Sequence, residues 1–422
     1  MATIAQNERI VITGLGIVSS IGIGAEKYYQ SLRSGQSGAI IKNTWDEEGI
    51  DQAYLFPCPE INIKAYFEDL KAPFPLRYSQ LAMLGCQTAV KSAKLEESQL
   101  SPDRIGLILN TSMAANAAVE TYLSKLFQEG PRKASPFDFT KTVSNTVLGD
   151  TTRYYKFRGS SSLLMGEDSV CYGFDLLKNN DADIIICGGF DEIRDVHILS
   201  YAHNGYLLDC PSEAGQTDAA EALKAALAKA QEQRKTVIGE AAAFVVLEKL
   251  DHAIERGAEI FAEVLNYNTG FDGAHDNFFF EKNEHDFRHV MEESLELSGL
   301  APKDIDCIVG ASALPWQYNE YEGKAIGDIW ENEDLYYTTV KPLIGETFGA
   351  SGQSSLVAAV LMMQNEEVLG TGLPTEYFTA TKARVKVPGK TLEHVPLKNI
   401  MVNSIHAGGN TTSIILSHYH KN

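Results

Sequence analysis

The sequence predicts an α/β body with buried sheets. Two observations carry that reading: short apolar runs of strand length recur along the whole chain, and segments with helical apolar spacing fall between them. The strand-like runs are residues 9–13, 104–109, 184–187, 243–247, 307–309 and 400–402. The helical segments are 77–94, 168–178, 285–297 and 351–364. No linker rich in Pro, Gly or Ser divides the 422 residues, so two halves packed on each other are expected, 1–255 and 256–422. The alanine-rich stretch 218–233, DAAEALKAALAKAQEQ, predicts a surface helix or lid with Leu223 and Leu227 one turn apart.

Charge narrows the partners. With 36 Lys and Arg against 56 Asp and Glu the net charge is −20, which repels nucleic acid and anionic membrane surfaces. Docking of another acidic protein would need a local basic patch. The six cysteines are scattered, with no CxxC pair and no Cys/His cluster, which argues against zinc and against a disulfide scaffold. A reducing compartment is expected. Neither a targeting segment nor a membrane-length apolar run is apparent, so the expectation is a soluble, cytoplasmic protein without a metal or redox cofactor.

Six segments together are similar to the β-ketoacyl synthases of fatty-acid and polyketide assembly. They are RIVITGLGIVSSIG, SPFDFTKTVSNTVLGD, DADIIICGGFDE, GEAAAFVVLEKLDHAIERGAEIFAEV, VKPLIGETFGASG and NSIHAGGNTTSIIL, in that order and over nearly the full length. The resemblance implies a thiolase-like fold, a duplicated five-layered αβαβα architecture. It also implies a cysteine nucleophile at the start of a buried helix, where backbone N–H groups and the helix dipole stabilise thiolate and oxyanion. Two histidines, a lysine and a phenylalanine gate complete that site.

Position by position, the chain departs from this pattern. Counting back from DADIIICGG, with Gly166 matched to the glycine three residues after the nucleophile, assigns the cysteine position to Leu163. Cys171 then reads as a neutral core thiol. Asp306, five residues before the first histidine position, assigns that position to Ala311, with Asn319 and Glu322 where the family has an acidic pair. The lysine position is Lys341, and the second histidine position, five residues on, is Glu346. A structural role for Glu346, pairing with Lys341 or bonding backbone groups, is favoured over catalysis. The gate loop GFGG reads His406-Ala407-Gly408-Gly409, and His406 is a hydrogen-bonded structural residue or a catalytic one.

Nucleophile, both activating groups and gate are thus all replaced. The chain resembles a chain-length factor, the non-condensing partner of an active ketosynthase in type II polyketide synthases. That resemblance implies a heterodimer formed through the strand Ser160, Ser161, Ser162, Leu163, Leu164 and Met165. It implies a tunnel for the growing acyl chain, and phosphopantetheine delivered by an acyl carrier protein that docks mainly on the partner. Ala114, Ala115 and Ala118 would leave the tunnel open with Tyr122 as its floor, or else serve helix packing. Two other classes stay open: a thiolase-fold acyltransferase or malonyl decarboxylase using His406, Glu346 or Ser161, and a non-catalytic carrier-protein scaffold.

Overall fold

Buried apolar strands set the architecture. The computed structural model describes residues 9–45, 50–97, 100–113, 115–211, 218–230, 234–271, 284–379, 384–406 and 408–420. The first run, IVITGLGIVS, is buried at every position and forms β1 (Ile10–Ser19). It is followed by β2 (Ile105–Thr111), β3 (Ser161–Met165), β4 (Ile184–Asp191) and β5 (Ala241–Lys249). Their order in the sheet is β3-β2-β4-β5-β1, with β2 parallel to β3 and β4, and β5 antiparallel to β4 and β1.

The second half repeats this course. Its strands are β6 (Ala262–Phe271), β7 (Cys307–Val309), β8 (Asp334–Thr338), β9 (Asn399–Ile405) and β10 (Asn410–Ser417). They lie in the order β8-β7-β9-β10-β6, and each pair has the same sense as its counterpart in the first half. Three register pairs between β1 and β6, from Ile10↔Val264 to Ile12↔Ala262, stitch the two sets together.

Helices occupy corresponding places. The outer helices are α1 (Arg77–Ser92), on β1, β4 and β5, and α3 (Glu284–Ser298), on β6 and β10. Between the sheets lie α2 (Ser169–Lys178) and α4 (Ser351–Asn365). α4 touches both β5 and β9, and α2 reaches the second half where the Tyr267 hydroxyl donates to Asp175 at 2.8 Å. A helix buried between two sheets must be apolar or neutral all round, and α4 is buried at nearly every position. The layers therefore run α1, first sheet, α2 with α4, second sheet, α3. This is the duplicated αβαβα arrangement of the thiolase-like fold.

The alanine-rich stretch forms a helix at Ala219–Lys229, begun by Asp218, whose side chain accepts from the Ala220 and Glu221 N–H groups. Leu223 and Leu227 are buried in an apolar cluster, so the helix is a packed element. All six cysteines are free. Among the described residues no helix is long and apolar enough to cross a membrane.

Candidate functional site at the carboxyl ends of the parallel strands

In each half a chain that leaves one strand for its parallel neighbour opens a crevice beyond the strands' carboxyl ends. Hydrogen bonds among α2, α4 and the end of β9 join the loops that follow these strand ends. The first half contributes the residues after β2, β3 and β4; the second contributes those after β7, β8 and β9.

After β3 the chain turns at Gly166 (φ 68°) and enters α2 with Asp168 as N-cap, its Oδ1 accepting from the Val170 N–H at 2.9 Å. An aspartate is favoured there because it satisfies a free N–H and faces the positive end of the helix dipole. The sequence assigned the nucleophile position, expected at the start of the buried helix, to Leu163. Leu163 lies in the middle of β3, paired with Leu109, and packs partly buried on the apolar cluster beneath the sheet. The residue at the start of the buried helix is Asp168. Cys171, one turn further on, is a buried thiol held well above its ordinary pKa by burial and by Asp168, in keeping with a core role.

Asp168 belongs to a closed polar network. Gln353 on α4 donates from Nε2 to Asp168 Oδ1 and to Asn110 Oδ1, each at 2.9 Å, and to Ser169 Oγ at 3.1 Å. Asn110, at the end of β2, donates to the Gly349 carbonyl at 2.7 Å. On its other side Asp168 Oδ2 stands 3.5 Å from Ser404 Oγ and 3.7 Å from His406 Nε2. Beside it, the Asp191 carboxylate accepts from Thr111 Oγ1 and from the N–H groups of Ser112, Met113 and Gly349, so it ties both halves together. Burial raises Asp191 to about 6 despite these donors.

The second half holds the two positions, Ala311 and Glu346, where the resemblance led us to expect histidines. Ala311 follows β7 and offers only a methyl group; its N–H donates to Glu322 Oε1 at 3.1 Å. Glu322, fully buried, also accepts from the Ser312 N–H and hydroxyl, Tyr337 OH and Asn403 Nδ2. Asn319, its expected companion, instead accepts from the Thr379 N–H and donates to the Tyr377 carbonyl. Lys341 Nζ lies 2.8 Å from Glu346 Oε2 and donates to the Ala311 carbonyl, while Glu346 Oε1 accepts from the Phe348 N–H at 2.9 Å. The structural role expected for Glu346 is present.

The gate and tunnel residues divide. Ala407 and Ala114 lie outside the described residues. His406 is buried, its N–H donating to the Asn410 carbonyl at 2.8 Å, and its Nδ1 has no hydrogen-bond partner. Ala115 and Ala118 are 2% and 5% exposed within the cluster that includes Tyr78, Val147 and Phe190. Both are buried core residues at the start of the helix Asn116–Glu129, which is the packing alternative of the two readings. Tyr122, further along, stacks at a tilt on Phe139 with ring centroids 5.5 Å apart. That helix also exposes Leu123 and Phe127, and the following segment exposes Phe137, Phe139 and Val143.

Strand β3 is the free edge of the first sheet, and its final residue Met165 is 55% exposed. Ser161 donates to the Gly159 carbonyl there, and Ser162 and Leu164 pair in register with Ile108 and Asn110. The Ser160 carbonyl accepts from the Leu107 N–H. Gln353, Asn110 and Asp191 were not singled out from sequence, although a polar residue closing an apolar strand, as Asn110 closes GLILN, marks a strand end at such a site. Among the described residues no group of His, Cys, Asp and Glu is arranged to hold a metal ion.

Comparison with known proteins gives two family matches: the β-ketoacyl synthase N-terminal domain over residues 7–253 and the C-terminal domain over 261–372. A curated relative, 3-oxoacyl-[acyl-carrier-protein] synthase 2 of Staphylococcus aureus, is 26% identical over 377 residues, covering 87% of this chain and 88% of that protein. Among solved structures, the ishigamide ketosynthase/chain length factor superposes with a TM-score of 0.82 at 23% identity, covering 98% of this chain and 99% of that one. AntDE:AntF, a type II polyketide synthase acyl-carrier protein in complex with its ketosynthase, gives 0.80 at 21% identity, covering 97% and 99%.

Proposed function

The chain belongs to the β-ketoacyl synthase family, and we propose that within it this protein is a chain-length factor of a type II polyketide synthase. It pairs with an active ketosynthase in the cytoplasm and shapes the tunnel for a polyketide or polyene chain. The observation that carries this reading is the carboxylate of Asp168 at the start of α2, where the condensing chemistry needs a thiolate. Ala311 has no proton to move, and Glu346 is engaged by Lys341 and the Phe348 N–H. An imidazole is absent from both positions that would stabilise an enolate.

The partner's docking face is β3 together with the exposed apolar side chains of 127–143. A free strand edge offers unpaired N–H and C=O groups, and Phe127, Phe137, Phe139 and Val143 are further exposed apolar side chains for a partner to cover. Likeness to a ketosynthase/chain length factor pair supports this arrangement. Phosphopantetheine reaches the pair as an arm of the acyl carrier protein, docked mainly on the ketosynthase. An acyltransferase or decarboxylase reading has less support: Ser161 is on the exposed strand edge, and Glu346 is already paired.

The test is co-expression with the ketosynthase encoded beside it, then size-exclusion chromatography and a malonyl-dependent elongation assay. A co-eluting pair that makes product, with neither chain active alone, is expected. Product from this chain by itself would falsify the proposal.

A further inference from the structure

Away from the crevices, the helix Thr146–Tyr155 carries two locally unfavourable residues that line one cleft. The cleft has a volume of about 610 Å³, and its lining includes Gly149, Thr152, Arg153, Lys156, Phe157 and Arg158. Gly149 lies in the helix interior, where glycine is less favourable than alanine because its backbone has more freedom to lose. Close packing does not demand it: a Cβ there would meet only Arg153 Nη2 at 3.8 Å, an ordinary contact. The helix ends at Lys156, whose φ of 60° is left-handed, a conformation that suits glycine and strains a lysine. Beyond it the Arg158 N–H donates to the Pro102 carbonyl at 2.9 Å, and this turn brings Arg158 to the same cleft.

The charge of the cleft opposes that of the chain. Net charge is −20, yet this lining holds three cations and no carboxylate. Among the described residues the side chains of Arg153 and Lys156 make no ion pair or hydrogen bond. Arg158 Nε meets Asp103 Oδ1 at 2.8 Å, but both side chains are 64% exposed, so water screens that pair. Asp150 lines a second cleft on the other side of Arg153, and burial raises its pKa, which weakens its hold on the guanidinium. Cations at a helix C-terminus offset the helix dipole, which gives Arg153 and Lys156 one role. It explains neither the bare backbone at Gly149 nor a lysine in a left-handed conformation. Phe157 adds a flat apolar edge, its ring stacked on Tyr155 with centroids 5.1 Å apart and planes within 8°.

We propose that this cleft binds a small molecule bearing one or two phosphates, whose oxygens lie over Gly149 between Arg153, Lys156 and Arg158. Guanidinium forks and an ammonium suit phosphate oxygens, and a missing side chain lets an anion come close to the helix. The site is separate from the tunnel, and it stands whether or not the chain is a chain-length factor.

Calorimetric titration of the full-length chain tests this, with inorganic phosphate, pyrophosphate and ADP as probes at about 50 mM and about 300 mM NaCl. At low salt, pyrophosphate or ADP is expected to bind with a Kd below about 1 mM, and to weaken at least about threefold at high salt. ADP tighter than pyrophosphate assigns the Phe157 edge to a nucleotide base; equal affinities assign the site to a free phosphate compound. Gly149→Ala and Lys156→Gly separate binding from folding, because each removes a local strain or entropy loss. Both should keep or raise the urea midpoint while lowering probe affinity at least about tenfold. The proposal is overturned if no probe binds with a Kd below about 1 mM, or if either variant binds as tightly as the wild type. If the wild type binds no probe and Arg153→Glu/Lys156→Glu loses co-elution with the ketosynthase, the cleft is a protein contact and the phosphate site falls.

Discussion

Lys341 and Glu346 form a buried ion pair, Nζ to Oε2 at 2.8 Å, with side chains only 2% and 10% exposed. By the spacing of the resemblance, a lysine and a histidine are expected at these two positions. The pair is further satisfied by the Ala311 carbonyl and the Phe348 N–H, which makes it a stable replacement for a catalytic group.

Breaking that pair should be more damaging than deleting it. Glu346→Ala leaves a buried ammonium without its counter-charge and is expected to cost about 3–5 kcal/mol in urea unfolding. The double variant Lys341→Met/Glu346→Leu should recover most of this loss. Additive losses in the two single variants and the double variant would show that the pair is not coupled.

Stability should depend on pH through His252. Glu248, completely buried, accepts from Thr13, from His252 and twice from Arg256. The hydrogen bond to Glu248 raises the His252 pKa above 6.5, so its contribution is complete below about pH 6.5 and fades as pH rises through the raised value. Burial pushes Glu248 up, but hydrogen bonds from His252 and Arg256 outweigh it and leave it below 4.5; its contribution is present above about pH 4.5 and is lost on acidification. His252→Gln should therefore lower the urea midpoint at pH 6 and have a shrinking effect towards pH 9. A constant difference across that range would contradict the assignment.

Phe127 is 79% exposed, so Phe127→Glu should change the stability of the isolated chain by no more than about 0.5 kcal/mol. Combined with Phe139→Asp it should abolish co-elution with the ketosynthase, since charges would be buried on an apolar docking face. Retained co-elution would move the interface elsewhere.

Product length should respond to the helix Asn116–Glu129 at its outer residues. Ala118→Phe adds bulk to a filled core and is expected to destabilise by about 1–3 kcal/mol. Tyr122→Ala, at a partly buried ring, should leave the fold intact and lengthen the product. Mass spectrometry of the co-expressed pair's product checks this, and an unchanged length removes Tyr122 from the tunnel.

Much of the site was legible. The distances in sequence from Asp306 to Ala311 and from Lys341 to Glu346 each span a strand end and a short turn, and the residues so picked out are buried together with Glu322 and Lys341. Counting to Leu163 crossed the whole of α2, a helix whose length a spacing rule has to assume, and Leu163 lies within β3 while Asp168 stands at the helix start. The signal for that helix start was present: Asp168 directly precedes the apolar periodicity of 169–178, as an N-cap does.

By itself, the sequence determined six of the buried strands, the four main helices and the absence of imidazole and thiol from the positions it singled out, because apolar period and residue identity are local properties. Only the tertiary structure decided that Asp168 faces His406, that Gln353 and Asn110 join it, and that Ala115 and Ala118 are core. Those relations arise where strands distant in sequence end side by side, and which residues then share a buried volume depends on how the two sheets close over α2 and α4.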